Sequence, residues 1–368
     1  MTKDVTIRPS PGDNTPWARL LYGERASEGL QSLRSGSAHS IITELPVPGL
    51  GEGQPVEWPS IKYHAHPSLG NYPIITGPQN CALGNEATVE DYVAHCVQVF
   101  REAAPVLRKD GTLWIYVRDR YVENKQLGLI PHSVAMALQA DGWILRNEIV
   151  WFRDNTTPES VKDRLTRTHG TLFMFAHPES GGDYFYDADA IREPHISKDE
   201  KHLKGYNKDT NMAEGWSRRP EIDKAWHPKG RNKRTVWQVN LGAYLGRSVS
   251  PWPLELVEPM VRASVSEGGV CKNCGTPLYR NPDDTWRRGC ASDCEHSGIV
   301  RPTVLDPFSG TAVTGKAALD WGANFIGIDL DLESLSEARA RLEGITHSRR
   351  ALQQKSSPVL DLFGAVDG

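Results

Sequence analysis

The sequence lacks any apolar run near the roughly 20 residues needed to cross a bilayer, and its opening, MTKDVTIRPSPGDN, lacks the apolar core of a secretory leader. A soluble, cytoplasmic protein with no membrane partner is expected. Strong charge of either sign is also missing. A formal net charge of −4 over 368 residues gives no global pull on nucleic acid or membrane, so a polyanionic partner must meet a local patch. There is no internal repeat and no long low-complexity tract. Cysteine is sparse except in one place: Cys81 and Cys96 stand alone, and the other four fall between Cys271 and Cys294. That clustering fits a reducing compartment and a metal site better than a disulfide framework.

What is present alternates. Residues 1–17 are polar and proline-rich and read as a loose arm. Ser40-Ile41-Ile42-Thr43 reads as a short buried strand, followed by a long Gly/Pro-rich loop over residues 48–87. From Thr88, TVEDYVAHCVQVFREAAPVL sets Tyr92, Cys96, Val99 and Phe100 on one helical face behind a Thr cap with acids in the first turn. GTLWIYV is then a strand, IPHSVAMALQADGW a second amphipathic helix ended by Gly142, and ILRNEIVWF another strand. Further strands are expected at Gly170–Ala176 and Val300–Leu305. Helices placed between strands imply an α/β, doubly wound, mostly parallel sheet covered on both faces.

The stretch from His195 to Arg234 carries 11 Lys or Arg against 6 Asp or Glu, interleaved with Tyr206, Trp216 and Trp226. Cations neutralise phosphates and aromatic faces stack on bases, although a solvated surface insertion has the same composition.

VLDPFSGTAVTGKAALDWGANFIGIDL is the most informative run. An apolar strand enters a Ser/Gly turn, a helix follows from about Thr314 to Trp321, and a second strand ends in Asp329. Gly310 lets the backbone approach a ligand, and an acid closing the second strand can accept both hydroxyls of a ribose. Gly310, Ala312 and Gly315 do not form the dinucleotide fingerprint GxGxxG. Asp306 before the turn would repel a pyrophosphate but suits the ammonium of an amino-acid moiety. The expected cofactor is S-adenosylmethionine, with Asp306, Phe308, Gly310, Thr311 and Asp329 as its candidate residues.

Cys271-Lys-Asn-Cys274-Gly is a knuckle, and Cys290 and Cys294 form a second pair after 15 intervening residues. Four thiolates so spaced close a tetrahedral site, with His296 an alternative to Cys294. With no open position left, structural zinc is expected, and Trp286, Arg287 and Arg288 stand as candidates for presentation to DNA.

Asp306-Pro307-Phe308-Ser309-Gly310-Thr311 with Gly327-Ile328-Asp329 resembles the cofactor motif of bacterial and phage DNA amino-methyltransferases. The segments around GTLWIYVRDRY, ILRNEIVWF, PESVKDRLTRTHG, YFYDADAIREP, RNKRTVWQV and PLELVEPMV are similar to their counterparts in the class that places its catalytic motif before its cofactor motif. The resemblance implies a Rossmann-like methyltransferase domain over residues 18–345, with a basic target-recognition insertion at 195–235, a zinc-knuckle insertion at 268–299 and a tail at 346–368. It also implies double-stranded DNA as partner, with a cytosine or adenine flipped out and methylated on its exocyclic amine.

The family's catalytic motif, Ser or Asp followed by Pro-Pro and an aromatic, reads Glu44-Leu45-Pro46-Val47 here, which leaves Glu44 and Pro46 as catalytic candidates. Trp58, Tyr63 or Tyr72 would have to supply the missing ring. Other departures are Arg118 in place of a Gly before Asp119, Arg153-Asp154-Asn155-Thr156 in place of Lys-Pro-Asn-Pro, Ser248-Val249-Ser250-Pro251-Trp252-Pro253 in place of His-Phe-Ala-Thr-Phe-Pro, and Ala312 in place of a Gly. Asp119 reads either as a pocket residue or as a strand-end cap. Three outcomes stay open: an active amino-methyltransferase, altered modification chemistry, or a DNA-binding pseudoenzyme.

Overall fold

A computed structural model describes residues 3–7, 15–47, 55–65, 73–195, 227–242 and 252–355. One nine-stranded sheet organises the chain: β1 (Lys3–Ile7), β2 (Ala18–Tyr22), β3 (Ala38–Glu44), β4 (Leu107–Val117), β5 (Ile144–Phe152), β6 (His169–Ala176), β7 (Val236–Gln238), β8 (Thr303–Asp306) and β9 (Asn324–Asp329). Its spatial order is β1-β2-β9-β8-β3-β4-β6-β5-β7. Only β1 and β6 run against the rest.

Strand alternation sorts the core into two layers. Ile41, Leu113, Ile115, Val117 and Leu305 face α2 (Val89–Ala103) and α3 (Ile130–Ala140), while Ile42, Trp114, Tyr116 and Val304 face α4 (Leu254–Ser264) and α5 (Val313–Trp321). α1 (Ala26–Gln31) joins the first layer and α6 (Ser334–Lys355) the second. Each large apolar side chain so buried contributes on the order of 1.5–3 kcal/mol. Thr88 caps α2 as its sequence implies, its hydroxyl accepting from the Asp91 amide at 3.1 Å.

The chain leaves β8 through α5 towards β9, and leaves β3 through α2 towards β4 in the opposite direction on the other face. The crevice between the carboxyl ends of β8 and β3 is therefore the switch point, where open α/β sheets take ligands.

Several expectations change. Lys3–Ile7, assigned to a loose arm, pairs antiparallel with β2, and Asp4 meets Arg19 at 2.8 Å. The long loop is partly built from two ladders, Val56–Trp58 with Gln79–Cys81 and Ile61–Tyr63 with Ile74–Thr76. The run Val300–Leu305 divides at Pro302: Ile299–Val300 pairs with Val270–Cys271, and the sheet strand starts at Thr303. Helix α6 carries on to Lys355, into the segment read as a tail. Residues 196–226 of the basic segment, Ser248–Pro251, Tyr72 and the stretch from Val359 to Phe363 lie outside the described residues. Among the described residues no helix is long and apolar enough to cross a membrane.

Candidate active site

A cavity of about 250 Å³ occupies the switch-point crevice, and its wall includes Glu44, Pro46, Phe308, Gly310, Asp329 and Trp58. The structure thus brings both halves of the expected site, the candidate catalytic residues and the candidate cofactor residues, to one space.

On the cofactor side the turn after β8 is braced from beneath. The Ser309 amide donates to the Ile328 carbonyl at 2.9 Å, the Ala312 amide to Ser309 O at 2.8 Å, and the Tyr22 hydroxyl at the end of β2 to the Gly310 carbonyl. A Cβ on Gly327 would fall 2.5 Å from the Ser309 hydroxyl, so this close approach of strand and turn requires glycine. Gly310 adopts φ +48°, and a side chain there would project into open space, the cradle a backbone-hugging ligand needs. Ala312 takes φ 58° and ψ 43° just ahead of α5, where no side chain caps the helix.

Asp306 is almost fully buried and serves the turn itself. Its Oδ1 accepts from the Thr43 hydroxyl at 2.6 Å and the Phe308 amide at 3.1 Å, and its Oδ2 from the Thr314 hydroxyl at 2.7 Å. With three donors already on its two oxygens, Asp306 ties β3, β8 and α5 together. Burial pushes its pKa up to about 7. Asp329 accepts from the Gly310 amide at 2.5 Å and the Asp331 amide at 2.8 Å, and burial raises it to about 6. Thr311 Oγ1, in the same wall, is buried without a partner among the described residues. An open glycine cradle, an orphaned hydroxyl and a strand-end carboxylate fit a ligand that carries a carboxylate or ammonium at one end and a ribose diol at the other.

On the other side Glu44 ends β3 with its side chain 17% exposed. The Arg118 guanidinium places both Nε and Nη2 2.7 Å from Glu44 Oε1, and the Trp252 backbone amide also bonds to the carboxylate. Burial raises the Glu44 pKa, while Arg118 opposes the rise. Two isolated departures in the sequence are one ion pair in the structure. Leu45 is a core residue, 1% exposed, and the Pro46 carbonyl accepts from the Tyr92 hydroxyl at 2.9 Å, so Pro46 is anchored by its backbone.

Of the rings considered to replace the missing aromatic, Trp58 lines the cavity. Its indole N–H donates to the Cys81 carbonyl at 3.0 Å, and one ring face stacks on His95 at 4.2 Å and 11°. His95 is fully buried and bonded to Glu86 at 2.7 Å, so the stack rests on a fixed base. Tyr63 instead buries its ring in the core and donates to the Glu90 carbonyl. Sequence reasoning missed the Arg25–Ser27 edge of the cavity and noted Trp252 only as part of a departure.

Asp119 is a cap: its carboxylate accepts from the Ile130 amide at 3.1 Å and holds Arg167 at 3.3 Å. The Arg153–Thr156 departure has a local partner, since Asn155 exchanges side-chain bonds with the backbone of Leu241 and the Asp154 amide meets Asn240. The described end of the basic segment pairs with acids just ahead of the segment, Arg231 and Arg234 each meeting Glu193 at 3.1 Å and Lys229 meeting Asp189 at 3.6 Å.

Cys271, Cys274, Cys290 and Cys294 place their sulfurs within 4.8 Å of one another, with separations of 3.6–3.7 Å for three of the pairs. A tetrahedron with Zn–S bonds of about 2.3 Å has edges of about 3.8 Å, so the donor set fits zinc. His296 lies 3.7 Å from the Cys290 sulfur and outside that four-residue group. The module docks on the amino ends of the strands: Arg108, at the start of β4, donates to the Cys274 carbonyl at 3.0 Å. Arg280 covers Trp286, and Arg287 covers Tyr279.

A Rossmann-like sheet with a braced turn, a strand-end acid and a second carboxylate across the crevice defines a class of nucleotide-cofactor group transferases. Comparison with known proteins narrows the class. The DNA methylase family of N6 and N4 methyltransferases matches residues 79–340. The type II methyltransferase M.XycI of Xanthomonas campestris pv. cyanopsidis is 30% identical over 94% of this chain and 96% of its own, and M.SfiI of Streptomyces fimbriatus is 37% identical over 68% and 79%. The solved PvuII DNA methyltransferase (cytosine-N4-specific) shares the fold, with a TM-score of 0.54 at 13% identity over 93% of this chain and 94% of that one. The chain belongs to the N6/N4 DNA methylase family, the S-adenosylmethionine-dependent enzymes that methylate an exocyclic amine in DNA.

Proposed function

We propose that the chain is an active amino-methyltransferase in which Glu44 takes the part of the motif's polar acceptor, acting on a cytosine or adenine turned out of duplex DNA. The observation that carries this reading is the position of the Glu44 carboxylate on the same cavity as Gly310, Thr311 and Asp329, at the carboxyl end of the strand beside β8. The open space beside Gly310 and the unpartnered Thr311 Oγ1 suit the amino-acid end of S-adenosylmethionine, and Asp329 suits its ribose diol. When bound, that cofactor supplies an electrophilic methyl group on a sulfonium. Glu44 accepts hydrogen bonds from the target amine, localises its lone pair and offsets the positive charge that grows on nitrogen as the N–C bond forms and the C–S bond breaks. The amine proton is lost towards the carboxylate or water. The Trp58 ring, which lines the cavity, is the stacking surface proposed for the base in place of the aromatic that Val47 replaces.

The segment 195–235 is the proposed target-recognition element, supported by its composition and by its attachment to the edge strand β7. The four cysteines are proposed to hold one structural zinc, supported by the sulfur spacing. Mass spectrometry of nucleosides from DNA exposed to the protein and cofactor tests the activity: a methylated cytosine or adenine is expected. Glu44→Gln should reduce the rate about 10²–10³-fold with unchanged cofactor affinity, the magnitude of losing one preorganised transition-state contact. Full activity in Glu44→Gln would place the catalytic acceptor elsewhere.

A further inference from the structure

We infer that Arg118 is a positioning residue of the methyl-transfer site, fixing the Glu44 carboxylate at the cavity wall as a charged acceptor through a paired contact on one of its oxygens. The inference rests on the role proposed for Glu44. Three observations carry it. Glu44 pairs in register with Tyr116 on the neighbouring strand, so Arg118, two residues further on, is its diagonal neighbour on the same side of the sheet. Nε and Nη2 of the guanidinium both stand 2.7 Å from Oε1, a two-nitrogen fork closed on the carboxylate. Both side chains line the cavity.

The chemistry explains why the two residues occur together. Glutamate is one methylene longer than aspartate, so its carboxylate needs a second anchor to hold one orientation. A carboxylate withdrawn from water also tends to take up a proton, and a protonated acid offers the amine less negative charge where it is needed. Arg118 answers both needs. The other groups near Glu44 are Tyr116 on β4, Tyr92 on α2, Arg153 after β5 and the Trp252 backbone amide; Arg153 acts only at longer range. Arg118 is thus the one described cation in direct contact with the carboxylate.

The test is the pH dependence of kcat under saturating DNA and cofactor for Arg118→Met, Arg118→Lys and Glu44→Gln. In Arg118→Met the acid limb should move up by about one pH unit or more, lowering the rate about tenfold at pH values on the limb and leaving the alkaline plateau nearly unchanged. Arg118→Lys keeps the charge without the fork and should give a smaller shift, so it carries the test even where the Met variant folds poorly. Cofactor affinity should stay within about twofold in both, because the contact is made on the far side of the crevice. A wild-type limb in Arg118→Lys and in folded Arg118→Met overturns the inference. If Glu44→Gln keeps full activity, the proposed role of Glu44 fails; if it is inactive while the Arg118 limbs stay unshifted, only the role of Arg118 fails.

Discussion

The two edges of the sheet solve opposite problems. At the carboxyl ends of β3, β8 and β9, three carboxylates are drawn out of water around a cavity, each held by donors from different elements. At the amino ends of β3, β4 and β8, four thiols face one another in a module of short ladders that Arg108 and Arg280 pin to the body, the latter through a 3.0 Å contact with Asp187. The first edge holds groups whose charge costs free energy in the absence of ligand, and the second holds groups that a metal ion would satisfy completely. Chemistry belongs to the edge left unsatisfied, and the closed edge supports the scaffold.

The sharpest way to break this contrast is to remove the metal. One zinc per chain is expected by elemental analysis. Cys274→Ser should lower global stability by about 3 kcal/mol or more, as loss of a structural metal site does, while surviving folded protein binds S-adenosylmethionine with unchanged affinity. Cofactor binding that titrates away with the metal would show that the two edges are coupled.

Within the cavity edge, the next effect in size concerns the base and not the cofactor. Trp58→Ala should raise the KM for DNA about 10- to 100-fold, from about 1–3 kcal/mol of lost stacking, and leave calorimetric cofactor affinity alone. Equal losses for both ligands would mean that Trp58 merely walls the cavity.

How these elements appear in sequence depends on how local their causes are. Helix α2, the β4 run and the β8-α5-β9 unit were legible because cap, periodicity and turn chemistry lie within a few residues of one another. The ladders at Val56–Trp58 and Ile61–Tyr63 were not, because each alternation lasts three residues and its partner lies beyond a long insertion. The same distance hid the meaning of the pocket. Glu44 and Arg118 are 74 positions apart, and separately each reads as a lost motif residue. Asp306 was recognised by its motif, but its engagement by Thr43 and Thr314 depends on neighbouring elements meeting in space.

Asp329 gives a test with a sign. Burial raises its pKa from 3.8 to about 6, so the stability linked to its protonation is present below about pH 4 and is lost as pH rises through about 6. Holding a ribose diol needs the ionised acceptor, so cofactor affinity should move the other way, improving about tenfold between pH 5 and 7 and then levelling. Calorimetry across that range checks it, and Asp329→Asn should flatten the dependence. A slope that persists in the Asn variant would assign the titration to another group, with the Asp306 carboxyl, near 7, next in line.

The smallest expected effect isolates the cofactor turn from its chemistry. Ala312 holds a left-handed backbone, φ 58° and ψ 43°, at a position where the family commonly has Gly. An L side chain in that region costs about 1 kcal/mol, and here the turn is kept in place by the Ser309 carbonyl, Tyr22 and Asp306. Ala312→Gly should therefore raise stability by up to about 1 kcal/mol, less the entropy glycine returns to the unfolded chain, with cofactor affinity changed by less than about threefold. If stability falls and affinity rises together, the alanine is tuning the pocket by holding the turn back from its ligand, and the strain belongs to function. If stability rises alone, the departure at 312 is a tolerated backbone cost, separate from the paired change at Glu44 and Arg118.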